Sequence, residues 1–460
     1  MKSKGEEHIL MKSKANKQKL VKVDVFRRRQ ANIVFLICLS FGIALCSLLY
    51  KLQKEYIICS VIITICMIPS LLKINYKKIF ENKKLQDAST YIEMMIYSFK
   101  KKPKILESLY DTSSLFEDGR MKRSIEEAIQ FMDQEYFESE SDANSAEQSL
   151  QIIYDAYPNN LIQQIHQYFI KVEQLGGTYQ STLQALLTDK KLWLNRCLEH
   201  KKDCETWRRN IIIAIMLSLL ICSCTLYLLP QDVAIQEIFI YQISSILSFL
   251  GYYIVYIKME KKVFHDYVTS TQIESDGKLL ERCKRMKKHE NKRNPGFSIG
   301  YAINKKIVTK ANNQAFSEWL LEIGLLLQTE NVQTAIAKSY DRAPVVLKAE
   351  IELLMERLIE NPRAVEPYTQ FLAKYNNAEV VFAMQLLYSL SVNNTGDAEK
   401  QIVEIIEQSN FLRNKTEIQN NELRLAGMNI LFLMPIVIAG IKMLVDMTLF
   451  MMVFLKQAQL

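Results

Sequence analysis

Five apolar segments of roughly membrane-spanning length constrain this chain more than any other feature. They occupy residues 31–50, 56–72, 211–229, 238–257 and 428–455. A helix needs about 20 apolar residues to cross roughly 30 Å of hydrocarbon. The second segment is the shortest, and Pro69 is placed to bend it near its inner end. The remaining sequence carries charges at short intervals. An overall hydrophobic fraction of 49% therefore averages two unlike populations, the pattern of a membrane protein with large water-exposed parts. Only 13 Gly and 9 Pro occur in 460 residues, which favours helix over sheet.

Orientation follows from charge. Residues 1–30 hold ten Lys or Arg, ending in Arg27, Arg28 and Arg29 against the first apolar segment, so the positive-inside rule places this end in the cytoplasm. A secretory signal peptide is not expected, because the basic stretch is too long and no small-residue cleavage site follows. Lys73, Lys77 and Lys78 follow the second segment, Arg208 and Arg209 precede the third, and Lys258, Lys261 and Lys262 follow the fourth. The chain thus reads as a basic N-terminus (1–30), a transmembrane pair (31–73), a helical region (74–209), a second pair (210–258), a basic linker (259–312), a second helical region (313–427) and a C-terminal transmembrane segment (428–455). Both helical regions face the cytoplasm, and the localisation expected is a multi-pass cytoplasmic (inner) membrane protein. The net charge of +8 reflects this orientation, and nucleic acid is not an expected partner.

Amphipathic stripes mark the helices. In the first region they fall at 85–101, from 105, at 118–134, at 161–172 and from 178, with an acidic loop at 135–142. The last of these is expected to run unbroken into the third apolar segment. The second region gives helices at 319–330, 332–341, 344–361, 362–375 and 378–393, then a long helix from Asp397 towards the fifth segment. Ser108-Leu109-Tyr110-Asp111 finds an echo in Lys338-Ser339-Tyr340-Asp341, and Gly177 aligns with Gly396, Leu183 with Ile402 and Asn210 with Asn429. This shared order suggests an internal duplication, with Gly177 and Gly396 as helix-turn glycines.

Three candidate features carry charge or metal chemistry. Lys442 and Asp446 lie four residues apart inside the fifth apolar segment and share a helix face. An ionisable residue at membrane depth is a functional-site candidate; the alternatives are mutual neutralisation in a tilted helix, or the turn of a re-entrant hairpin. Lys284, Arg285, Lys287 and Lys288 belong to a basic run beside the fourth segment, suited to anionic lipid headgroups or to an acidic protein surface. Cys197, His200 and Cys204 share a helix face but lack a fourth ligand, so no metal is expected. Six of the nine cysteines lie in apolar segments as small hydrophobes, and no disulfide framework is visible. No GxxxxGK, HExxH or GxSxG motif occurs, so neither an enzyme nor a cofactor is expected.

The alternation of span pair, helical region, span pair, helical region and final span resembles the type II secretion system F family, the inner-membrane platform proteins of type II secretion, type IV pili and tight-adherence pili. The resemblance rests on residues 91–110 and 161–187 in the first copy and 319–340 and 386–406 in the second. Asn331-Val332-Gln333-Thr334-Ala335-Ile336 is similar to the family's first signature, and Lys102 to Leu109 resembles it more loosely. For the Gly-Glu pair of the second signature the first copy has Val172-Glu173. The resemblance implies an all-α integral membrane protein with about five transmembrane helices and two antiparallel cytoplasmic helical bundles. It also implies a non-enzymatic scaffold that couples a cytoplasmic secretion ATPase to assembly of pilin-like subunits, with the lipid bilayer as a further partner and a homo- or hetero-oligomeric state. The competing classes are a transporter or permease, which calls for more polar residues inside the spans, and a membrane-tethered signalling scaffold.

Overall fold

The computed structural model describes residues 42, 44, 47–138, 142–176, 179–228, 235–263, 268, 276–290, 299–328, 330–375, 377–392 and 398–458. Among them the regular structure is helical, with no strand. The helices in chain order are α1 (Lys54–Lys101), α2 (Ile105–Leu115), α3 (Arg120–Glu138), α4 (Asp142–Ala156), α5 (Asn160–Leu175), α6 (Gln180–Leu228), α7 (Phe239–Val263), α8 (Asp276–Glu290), α9 (Ile299–Leu326), α10 (Val332–Ser339), α11 (Val345–Glu360), α12 (Glu366–Gln370), α13 (Ala378–Val392), α14 (Ala398–Ala426) and α15 (Met428–Ala458). Most of the first expected span, 31–50, lies outside the described residues.

Among the described residues four helices are long and apolar enough to cross a membrane: α1, α6, α7, and the run formed by α14 and α15. Two of them extend well beyond their apolar parts. The second apolar segment and the amphipathic stripe at 85–101 are one helix of 48 residues, α1, with Pro69 inside it. Neither Gly nor Pro interrupts the sequence between Lys73 and Leu85, so nothing stops the helix there. As expected, the helix before the third segment continues into it, giving α6 its 49 residues. The long helix before the fifth segment instead ends at Ala426, with Gly427 in a turn before α15. Residues 428–458 then form a single helix through Pro435, so the segment is not a re-entrant hairpin.

The chain divides into two compact units. The apolar unit comprises residues 1–83, 198–266 and 422–460. In it α15 packs along α7, and Gly251 is one reason they come close: a Cβ there would stand 3.0 Å from Ile438 Cδ1. Its buried side chains form three small clusters, around Tyr50 and Phe249, around Ile211 and Met259, and around Ile235 and Leu449.

The amphipathic unit comprises 84–197 and 267–421, so both helical regions fold together. One apolar cluster runs through it from Leu85 to Leu412 and includes the stacked pairs Phe99–Phe169 and Trp319–Phe371. Local chemistry sets the helix ends. The Asn159 side chain accepts from Leu161 N–H to start α5, and Asn331 accepts from Thr334 N–H to start α10. Gly176, at φ +69°, ends α5 in a backbone conformation that a Cβ disfavours.

Several sequence expectations need correcting. The acidic stretch from Glu135 is helical to Glu138, and α4 follows as an additional helix closely packed on α3. Residues 362–375 hold only the five-residue α12 and a 3₁₀ turn, Ala373–Tyr375. Within the supposed linker, α8 packs on α9 and α11, and α9 itself begins at Ile299 rather than near Trp319.

Helix order recurs in the two halves, but in α2 and α10 the register differs from the sequence echo. Ile105, Ser108, Leu109 and Thr112 of α2 are buried, as are Val332, Ala335, Ile336 and Ser339 of α10 in the same spacing. That correspondence is three residues out from the match of Ser108–Asp111 with Lys338–Asp341. In α6 and α14 the aligned positions Leu183 and Ile402 are both buried, as are Leu186 with Ile405, Leu187 with Ile406 and Lys190 with Ser409.

Candidate functional site

Lys442 lies near the middle of α15, a helix of 31 residues and about 46 Å. Its Nζ donates to Asp446 Oδ1 at 2.6 Å, and both side chains are almost fully buried. Two aromatic rings complete its surroundings. The ammonium stands 3.7 Å from the ring centroid of Tyr241, at the start of α7, and 5.6 Å from that of Tyr50. Tyr241 Oη donates to the Tyr50 carbonyl at 3.1 Å, which fixes the two rings to each other. Nearby, Gln242 accepts from Gln53 N–H at 3.4 Å and donates to the Gln236 carbonyl at 2.7 Å. A carboxylate and a ring face thus replace the hydration that the ammonium loses.

Spacing alone brings Lys442 and Asp446 together, and that much is readable in the sequence. The tyrosines were missed, because Tyr50 and Tyr241 are 191 residues apart. Tyr at the edge of an apolar segment carries no signal beyond that of an interfacial residue. Arg208, just before the apolar half of α6, and Glu260, in the last turn of α7, form a bidentate pair with Nη2–Oε2 at 2.9 Å.

In the amphipathic unit, polar contacts join the two halves of the sequence. Tyr168 Oη donates to Gln328 Oε1 at 2.8 Å, Lys171 pairs with Glu322 at 3.4 Å, and Arg196 meets Glu417 at 2.8 Å and Asn414 Oδ1 at 2.9 Å. Buried Arg413 pairs with Asp189 and donates to Gln164 Oε1 at 3.2 Å. Burial shifts two of these groups: it pushes the Tyr168 hydroxyl up to about 12 and lowers Lys171.

The other sequence candidates stand apart from these clusters. On α8, Leu279 and Met286 are buried while Lys284 and Arg285 are exposed, with Arg285 held 2.5 Å from Glu281. The side chains of Lys287 and Lys288 lie outside the described residues, as do Gly177 and Gly396. His200 Nε2 lies 3.6 Å from Cys204 Sγ, and no described group of three His, Cys, Asp or Glu could hold a metal ion. These arrangements can hold helices together and exclude water. Comparison with protein-family models, with characterised proteins and with solved structures finds no match for this chain.

Proposed function

We propose that this chain is a membrane platform protein, with both helical regions and the N-terminus in the cytoplasm. It would couple a secretion ATPase to the assembly of pilin-like subunits in a machine of the type II secretion, type IV pilus or tight-adherence pilus kind. The observation that carries this reading is α6, a single helix of 49 residues that is amphipathic over its first half and apolar over its second. At about 1.5 Å per residue it is about 74 Å long, more than twice a bilayer core. A motor acting on the amphipathic unit would move the membrane part through such helices. The recurring helix order supports a duplicated F-type domain as the origin of the two halves.

The Lys442–Asp446 pair favours one second reading, a transporter or permease. Crosslinked pull-down from native membranes through an N-terminal tag, with partners identified by mass spectrometry, separates the two. The platform reading expects a secretion ATPase together with pilin-like proteins. Recovery of a solute-binding protein, with neither of these, would replace it by the transporter.

A further inference from the structure

The amphipathic unit contains a cavity of about 830 Å³ where α4 and α5 of the first half face α9 and the start of α11. That volume lies in the upper part of the ~300–1,000 Å³ range typical of small-molecule sites. Its lining carries three carboxylates and one guanidinium: Glu147 on α4, Glu318 and Glu322 on α9, and Arg342 just before α11. Glu322 is neutralised where it stands, by Arg342 at 3.8 Å and Lys171 at 3.4 Å. Among the described residues neither Glu147 nor Glu318 forms an ion pair. Glu318 Oε1 takes amide hydrogens from Asn160 at 3.1 Å and Gln314 at 3.4 Å, and Oε2 is left without a hydrogen bond. Beside it, Gln314 Oε1 is buried and has no donor. Burial raises the Glu318 carboxyl from its ordinary value, as expected where amides contact it but no cation pairs with it. An unpaired carboxylate and an orphaned amide oxygen side by side call for one thing, a cation that carries N–H donors. No described group of three His, Cys, Asp or Glu could hold a metal ion, so these carboxylates do not converge on a point and suit an extended cation instead.

We propose that this cavity binds a linear aliphatic polyamine, one ammonium on Glu318 Oε2 and Gln314 Oε1 and another on Glu147. An anion would meet two unpaired carboxylates, and a monoamine would satisfy only one of them. Between the two ends, Ala311 and Ala315 of the lining give apolar surface to the methylene chain. Gln163 and Gln167, also in the lining, form no side-chain hydrogen bond among the described residues and can accept from the remaining N–H groups. Because one ammonium rests on α4 of the first half and the other on α9 of the second, binding would tighten the two halves together. This proposal does not depend on the platform reading.

Titration calorimetry on the full chain in neutral detergent micelles tests it, with spermidine, butylamine and magnesium ion as probes. Spermidine is expected to bind saturably, and butylamine, with its single ammonium, to bind about tenfold more weakly or worse. Magnesium, a compact cation, should displace spermidine only when in large excess. Glu147→Gln, at an exposed position, should weaken spermidine by a similar factor and leave butylamine unchanged, whereas Glu318→Gln should weaken both. Absence of saturable spermidine binding to the wild-type chain, equal binding of the two amines, displacement by magnesium at matching concentration, or wild-type affinity in both variants overturns the proposal. The amine and magnesium series use wild-type protein, so a variant that fails to fold does not remove the test.

Discussion

At the scale of single residues, the buried charge of α15 is constrained by what happens when one partner goes. Replacing Asp446 alone leaves the Lys442 ammonium buried without its carboxylate, a loss of the order of 3–5 kcal/mol for a broken buried pair. Replacing both residues by apolar ones removes the desolvation cost along with the attraction. Asp446→Leu should therefore lower the thermal midpoint of the detergent-solubilised chain sharply, and the double variant Lys442→Met, Asp446→Leu should recover most of it. A double variant no better than the single one would mean that the pair does more than neutralise itself. His166 makes a second residue-scale test, in the amphipathic unit. Its Nε2 accepts from Tyr91 Oη at 2.7 Å, its other nitrogen bonds the Leu150 carbonyl, and burial lowers its pKa to about 3. The unfolded chain takes up this proton near pH 6.5 and the folded one only near 3. The stability it contributes is thus complete above about pH 6.5 and falls as pH drops towards 3, by up to ~1.4 kcal/mol per unit. Urea midpoints from pH 7 to 5 should fall more steeply for the wild-type chain than for His166→Gln.

At the scale of elements, close approach decides where side chains are tolerated. Gly324 in α9 faces α14, and a Cβ there would come 2.8 Å from Cγ1 of the fully buried Ile406. Overpacking of this kind costs ~1–3 kcal/mol, against about 1 kcal/mol that alanine returns as helix propensity. Gly324→Ala is expected to lower stability by the order of 1 kcal/mol, and an unchanged urea midpoint would show that Ile406 can give way. Such contacts explain which elements could be read from sequence. The apolar segments were legible because a spanning window needs no partner to be recognised. The helix α4 was overlooked although Ala146, Leu150 and Ile153 form its buried stripe, because its first turn is polar and small and Ser149 interrupts the stripe. In α2 and α10 the letter match of Tyr110 with Tyr340 joins residues that are half-exposed and partly exposed, whereas the buried positions carry different residues, Ser108 and Thr112 in α2 and Ala335 and Ser339 in α10. Of the candidate site, sequence spacing exposed Lys442 with Asp446, but the tyrosine faces come from segments far apart in the chain.

At the scale of the whole molecule, the platform reading makes the continuity of α6 and α14 its mechanical requirement. A proline inside a helix removes one hydrogen bond, clashes with the preceding turn and costs ~3 kcal/mol or more. Leu194 lies within α6, and Leu412 within α14, which is separated from α15 only by the turn at Gly427. Leu194→Pro and Leu412→Pro are expected to leave the apolar segments inserted, since insertion depends on the hydrophobicity of each span. Transmission through the helix should be lost, so fibre assembly or secretion normalised to membrane-inserted protein should fall to background. The control is the same substitution at Gln130, an exposed position of α3, a helix that ends without entering an apolar segment. Gln130→Pro carries a comparable local penalty without cutting a long helix, and should retain measurable assembly. Were Leu194→Pro and Leu412→Pro to assemble fibres as the wild type does, the long helices would not be transmitting motion, and coupling would have to run through partner contacts alone.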